Sequence, residues 1–362
     1  MLYIVRISDK SSMATSFLVF GDGTVLEGTS FGHEGDSKGE VVFTTSMDYQ
    51  DTFTDPSNYG NIVIFTYPLI GDYGITSAYE GMKAWPEAIV VREYCRQPSE
   101  MYHGKDIDSY MKEKGIVGIS GIDTRALVIK IREGGTFRGA IVSKREDIPK
   151  AVESLKDVSK DAVSEVTRKD IKAIHKGNPI EIGVIDCGVK PPYLCDLLRR
   201  FDIRIFPAGT SAESIIKSGV KGVIVSDGPG NPVGSAVEGT IKGLKGKLPI
   251  LGIGFGGCAA ASALGASVSK MKFGHRGGQS VRHENRVLIT TQNRGYAIDA
   301  PSAENAGFAV DQINLNDKTV EGLKHKELPI IISEYYPEVT EGPSGTSFVI
   351  DSFEEMMKGA VQ

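Results

Sequence analysis

The stretch Pro249–Gly265, PILGIGFGGCAAASALG, runs from an apolar β-type segment through a glycine-crowded turn into an alanine-rich helix. Its apolar residues do not alternate with polar ones, which is the pattern of a strand covered on both faces. A buried strand that turns this sharply into a helix has the shape of a nucleophile elbow. There the central residue is held in a strained turn above a helix N-terminus that favours negative charge. The central residue here is Gly254, and glycine has no side chain with which to attack.

The same strand, loop, helix rhythm extends outward from this segment. EIGVID (181–186) is followed by the helix candidate YLCDLLRRF (193–201), IRIFPA (203–208) by AESIIKS (212–218), and GVIVSDGPGNP (222–232) by VEGTIKGL (237–244). Such alternation predicts a mostly parallel sheet with helices on both faces, and ligands of such sheets bind beyond the carboxyl ends of the strands. The loops Asp186–Pro192, Ser226–Pro232 and Gly252–Gly257 therefore belong to one candidate site. In SDGPGNP, two glycines around a proline just past a strand let main-chain N–H groups approach a ligand; a plain tight turn explains the pattern equally well.

The first part of the chain reads differently. SFLVF (16–20), the turn GDGT, VLEGTSFG (25–32), GEVVFTTS (39–46) and NIVIFTYP (61–68) are β-rich with alternating apolar positions. Helices are expected over Asp106–Lys114 and Thr124–Arg132, the latter with Asp123 and Thr124 as capping candidates and Gly134 and Gly135 as its stop. Lys150–Asn178 is charged and weakly patterned. The expected organisation is an N-terminal β-rich α/β domain over residues 1–150, a linker over 151–180 and an α/β domain over 181–362, matching the two cores that 362 residues can bury. MATSFLVFGDGT places an alternative start at Met13, with residues 1–12 as an extra strand or an upstream misreading.

Hydrophobic residues at 40%, charged residues at 24% and a formal net charge of -5 describe an ordinary soluble chain and give no general reason to bind nucleic acid. No apolar run approaches the roughly 20 residues needed to span a bilayer, and no signal sequence is visible, so a cytoplasmic protein is expected. Cys95, Cys187, Cys195 and Cys258 lack CxxC spacing and read as buried free thiols. The six histidines, His33, His103, His175, His275, His283 and His325, are isolated and lack ligand spacing such as HxxxH, so no metal site is expected.

SDGPGNP, GIGFGG, KFGHRGGQ, TTQNRGYAID and YYPE stand in the order and spacing of the class I glutamine amidotransferase domain. KMKFGHRGG and TTQNRGYAID resemble the carbamoyl-phosphate synthetase small subunit in particular. GEVVFTTSMDYQDTFTDPSNYGNIVIFTYPLIGDYG and GISGIDTRALVIKIREGG resemble that subunit's N-terminal domain, and the likeness spans about Ser16 to Phe353. It implies a small-subunit N-terminal domain followed by a flavodoxin-like class I amidotransferase domain. In that family an elbow cysteine attacks glutamine, a histidine serves as base and acid, and a glutamate orients the histidine. The cysteine position is Gly254, and the histidine-proline-glutamate positions are Tyr336, Pro337 and Glu338, so only the glutamate is kept. A nucleophile that works as part of a unit is worth on the order of 10^6-fold in rate. Glutaminase activity of the usual kind is therefore expected to be lost.

By the same resemblance Ser46, Gly228, Gly230, Phe255, Cys258, Asn293, Gly295 and Tyr296 match positions that hold glutamine, with Cys258 standing where the family has glutamine. These predict a pocket for glutamine or another small amino acid, or a relic built of turn and core residues. Cys258 is the one thiol near the elbow, and a residual glutaminase through it is an alternative, although it sits one helical turn beyond the bend. Gly252, Gly254 and Gly257 also spell GxGxxG, but the strand is late in its domain and the basic KMKFGHRGG stands where an acidic ribose ligand belongs; NAD or FAD binding would decide the point.

The resemblance implies a large synthetase subunit as partner, with ATP and magnesium bound there and no cofactor on this chain. The complex would make carbamoyl phosphate from bicarbonate, ATP and free ammonia, feeding pyrimidine and arginine synthesis, while this chain shapes or regulates its partner. A stand-alone small-molecule-binding regulatory protein is the rival reading; tight binding of another small molecule without a synthetase partner would favour it.

Overall fold

The computed structural model describes residues 14–156 and 161–359, so the question of an extra strand over 1–12 falls outside the described residues. The chain divides into two compact units, one formed by 1–50 with 60–158 and the other by 51–59 with 159–362. Nine residues from the first third of the chain thus belong to the second unit.

The N-terminal unit is a closed seven-stranded barrel. Its strands are β1 (Thr15–Phe20), β2 (Val25–Gly32), β3 (Ser37–Thr44), β4 (Asn61–Phe65), β6 (Ala88–Val90), β8 (Val117–Ser120) and β9 (Phe137–Val142), in the order β1-β2-β8-β6-β4-β3-β9; β5 (Leu69–Ile70) and β7 (Glu93–Tyr94) form a separate parallel pair. Closure leaves the barrel without an unpaired edge. Asp106 accepts from the Ser109 N–H to start the helix Ile107–Lys114, and Asp123 accepts from the Ala126 N–H to start Thr124–Gly134. Both helices lie where the sequence predicts them, and both begin at a side-chain cap that satisfies an otherwise orphaned N–H.

The second unit carries a ten-stranded sheet. In chain order its strands are β10 (Lys172–Ile174), β11 (Glu181–Asp186), β12 (Asp202–Pro207), β13 (Val223–Val225), β14 (Ile250–Ile253), β15 (Val268–His283), β16 (Arg286–Ile298), β17 (Phe308–Asn314), β18 (Val320–His325) and β19 (Ile330–Ser333). Their spatial order is β10-β12-β11-β13-β14-β19-β18-β17-β15-β16. The five strands β12-β11-β13-β14-β19 are mutually parallel, four of them as the apolar runs predict; β19 is not among the predicted strands. The others pair antiparallel, including the long hairpin β15–β16, which the sequence reading does not foresee. Within the expected linker, Ala162–Val166 is helical and β10 joins the sheet.

Alternate residues of the parallel strands feed two cores. Ile185, Val223, Val225 and Ile250 pack on one face with the helix Phe255–Ala263, while Val184, Ile224, Leu251 and Ile253 pack on the other with Phe353 of the C-terminal helix. Burying each such side chain contributes about 1.5–3 kcal/mol. Consecutive β11 and β12 lie side by side, but the chain then crosses to the other side of β11 to place β13. Loops leaving β11 and β13 therefore diverge at the carboxyl edge, the usual ligand position of such sheets. Of the four cysteines, Cys187 and Cys258 are buried as expected, but Cys195 is exposed and Cys95 half-buried. Cys195 lies between Tyr193 and Leu197, the i and i+4 residues that turn inward on their helix, and so faces away from the core.

Candidate functional site: an elbow without a nucleophile

Three strand ends bring the site residues to one edge. β14 ends at Ile253 and the next residue, Gly254, has φ 51° and ψ −114°; the helix Phe255–Ala263 starts directly after it. The bend of a nucleophile elbow is thus intact. Any residue with a Cβ would be strained there.

The space above the bend is filled. A Cβ placed on Gly254 would lie 2.4 Å from Oδ1 and 2.5 Å from Cγ of Asp227. Asp227 follows β13, and because Val225 pairs with Gly252 in parallel register, residue 227 comes level with residue 254. Its Oδ1 accepts hydrogen bonds from the main-chain N–H groups of Phe255 at 2.8 Å and of Gly228 at 2.9 Å. Asp227 is buried, and that burial, with the charge of Asp55, pushes its carboxyl up to about 7 against the two N–H bonds and the Lys190 ammonium.

Lys190 occupies the loop after β11. Its ammonium pairs with Asp51 at 2.9 Å and Asp55 at 3.0 Å; burial alone would lower it, but the two carboxylates outweigh this and hold it above its ordinary value. Lys190 also lies over the Tyr336 ring, 5.4 Å from its centroid. Tyr336 packs edge-on to Tyr193 with ring centroids 4.8 Å apart, and among the described residues its buried hydroxyl has no well-aligned hydrogen-bond partner. Burial, then the charges of Asp227 and Asp55, pushes that phenol well above its ordinary value, so it stays neutral. Glu338 does not point back to residue 336: its carboxylate accepts from the N–H groups of Ser344 and Thr346 and closes its own loop.

Cys258 lies one helical turn beyond the bend, 2% exposed. Its Sγ is 3.5–3.6 Å from the two carboxylate oxygens of Glu334. Burial, followed by the Glu334 charge, pushes the thiol well above its ordinary value. Glu334 belongs to a buried chain of charges. Arg294 contacts it at 3.0 Å and Glu321 at 3.2 Å, Gln292 and Asn314 donate to Glu321, and His275 bonds to Gln292 and Asp317. Burial pushes Glu334 up to about 8, with Arg294 opposing and Glu321 adding to the rise. His275 is thus a satisfied core histidine, and among the described residues no group of three or more metal-ligating side chains gathers.

The remaining expected pocket residues are scattered in role. Phe255 is buried in the core, with Tyr296 packed against it from β16. Gly295 is on β16 as well, while Gly228 and Gly230 shape the turn after β13, Gly230 with φ 86°. Asn293 is engaged: its Nδ2 donates to Asp55 at 2.9 Å and Asn58 at 3.1 Å. Ser46 is in the N-terminal unit, where its hydroxyl accepts from the Asp48 N–H. The GxGxxG glycines have packing reasons of their own: a Cβ on Gly252 would fall 2.7 Å from the Gly257 α-carbon, and one on Gly257 would fall 2.7 Å from Ile332. Sequence reasoning missed Asp227, whose carboxylate fills the space over the bend, and Lys190 in the loop after β11.

The family model of the carbamoyl-phosphate synthase small chain, CPSase domain, matches residues 18–141, and that of class-I glutamine amidotransferase matches residues 184–356. The chain is 41% identical over 350 residues to the carbamoyl phosphate synthase small chain of Bacillus cereus, covering 94% of this chain and 95% of that one. It is 40% identical over 357 residues to the small chain of Listeria monocytogenes serotype 4b, covering 96% and 98%. The solved glutaminase domain of Trypanosoma brucei CTPS with bound acivicin is similar at 15% identity, covering 50% of this chain and 94% of that chain, with a TM-score of 0.40. The second unit is an amidotransferase domain by class. The chain as a whole belongs to the carbamoyl phosphate synthase small chain family.

Proposed function

We propose that this chain is the small subunit of a carbamoyl-phosphate synthetase whose own glutamine hydrolysis is lost. The complex takes ammonia directly, and this chain shapes or regulates the large subunit, which binds ATP and magnesium; the product feeds pyrimidine and arginine synthesis in the cytoplasm. The observation that carries the reading is Gly254, a bare α-carbon at an intact elbow with the Asp227 carboxylate where a side chain would stand. The neutral phenol of Tyr336 at the base position supports it.

The test is purification with a large synthetase chain, followed by assay with ammonia and with glutamine. Ammonia-dependent synthesis with no gain from glutamine is expected. Strong glutamine-dependent synthesis overturns the proposal, as does failure to copurify with any large chain.

A relocated nucleophile at Cys258 has one observation in its favour, the Glu334 carboxylate beside the thiol. Against it stand the burial of Cys258 and a thiol held protonated by that same carboxylate. Cys258→Ala is expected to leave ammonia-dependent synthesis and the absence of glutamine use unchanged.

A further inference from the structure

We infer that Asp227 is a built-in occupant of the elbow's oxyanion-binding donors and closes the site to glutamine independently of the missing nucleophile. In an elbow the N–H of the residue after the nucleophile, together with a second main-chain N–H, binds the oxygen of the attacked carbonyl. The first of these is the N–H of Phe255, and the group that shares its acceptor is the N–H of Gly228. Both point at Asp227 Oδ1.

The same carboxylate fills the volume over the Gly254 α-carbon. Its backbone is fixed as well: Ser226 Oγ donates to the Asp227 carbonyl at 2.8 Å and accepts from the Cys187 N–H at 3.0 Å. Hydrogen bonds to a carboxylate are roughly twice as strong as those to a neutral oxygen, and the helix N-terminus favours the negative group further. A carboxamide entering the site must displace this resident carboxyl group, which is an anion above about pH 7, with a weaker acceptor. Replacing Gly254 and Tyr336 by cysteine and histidine would therefore not suffice to restore hydrolysis.

This inference rests on the reading of a chain without glutaminase, and the two fail differently. Failure of that reading appears as glutamine use by the wild-type complex, whereas failure of this one appears only on changing Asp227. Calorimetry of the full chain with L-glutamine should show affinity at least about tenfold higher in Asp227→Ala than in wild type. Hydrolysis by Gly254→Cys/Tyr336→His should rise on adding Asp227→Ala by at least about 100-fold, the order that one oxyanion donor is worth.

Equal affinity, no binding by Asp227→Ala, or no gain in the triple variant overturns the inference and leaves Asp227 a helix-capping residue. Should these variants fail to fold, wild-type chain labelled with 15N at phenylalanine and glycine keeps the test open. The Phe255 and Gly228 amide protons must shift together with pH around a midpoint near about 7; static resonances also overturn it.

Discussion

Two places in the second unit bury charge within a few residues of each other, and they do so differently. Around Arg294, each charged group has a partner: Glu334 and Glu321 flank the guanidinium, and Gln292 and Asn314 complete Glu321. Around Gly254, Asp227 is held by two N–H groups but shares its surroundings with the like charge of Asp55, and the buried Tyr336 hydroxyl has no well-aligned partner among the described residues. A polar network that closes on itself is what a fold needs from buried charge. One that leaves such groups poorly matched marks a place where the chain keeps an arrangement made for another purpose.

The comparison breaks most visibly at Arg294. Arg294→Met leaves Glu321 and Glu334 buried without their cation, a loss of about 3–5 kcal/mol, read by chemical denaturation of the full chain. A smaller cost than that of any elbow substitution would mean that the closed network is not the structural one.

Gly254→Ala should cost about 1–3 kcal/mol, from a positive φ and from contact with Asp227. In an Asp227→Ala background the contact part disappears, so the two substitutions should couple by more than about 0.5 kcal/mol. Additive effects would show that the carboxylate does not fill that space.

A further test uses pH. An unfolded aspartate titrates near about 3.9, and Asp227 in the fold near about 7. Below the first value both states carry the proton and Asp227 costs nothing. Between the two only the folded state holds the proton, so stability falls as pH rises, and above the second the full cost is present. Asp227→Asn should therefore stay close to wild type at pH 4 and exceed it at pH 8 by up to about 4 kcal/mol in urea denaturation, the linkage value of a shift of roughly three units. An advantage that grows toward acid would invert the assignment.

Much of this was legible in the sequence. Unbroken apolar runs gave four of the five parallel strands, the aspartate before the second helical pattern gave the Asp123 cap, and the glycine-crowded turn gave the bend at Gly254 with its missing side chain. Asp227 was not legible, because in SDGPGNP an aspartate before glycine is an ordinary turn residue. Only the pairing of Val225 with Gly252 brings it level with the bend. Lys190 was missed for a similar reason: its carboxylates, Asp51 and Asp55, are more than 130 positions away and nothing local announces them. Exposed Cys195 was misjudged because thiols are buried on average, whereas the helical spacing of Tyr193 and Leu197 decides this one.

The lending of residues 51–59 to the second unit has a consequence for dissecting the chain. An excised fragment starting after residue 158 would lack Asp51 and Asp55, stranding the Lys190 ammonium without either counter-ion and Asn293 without the oxygens it donates to. The amidotransferase half is therefore not a portable module. Truncation at the apparent boundary severs it from a piece of its own interior.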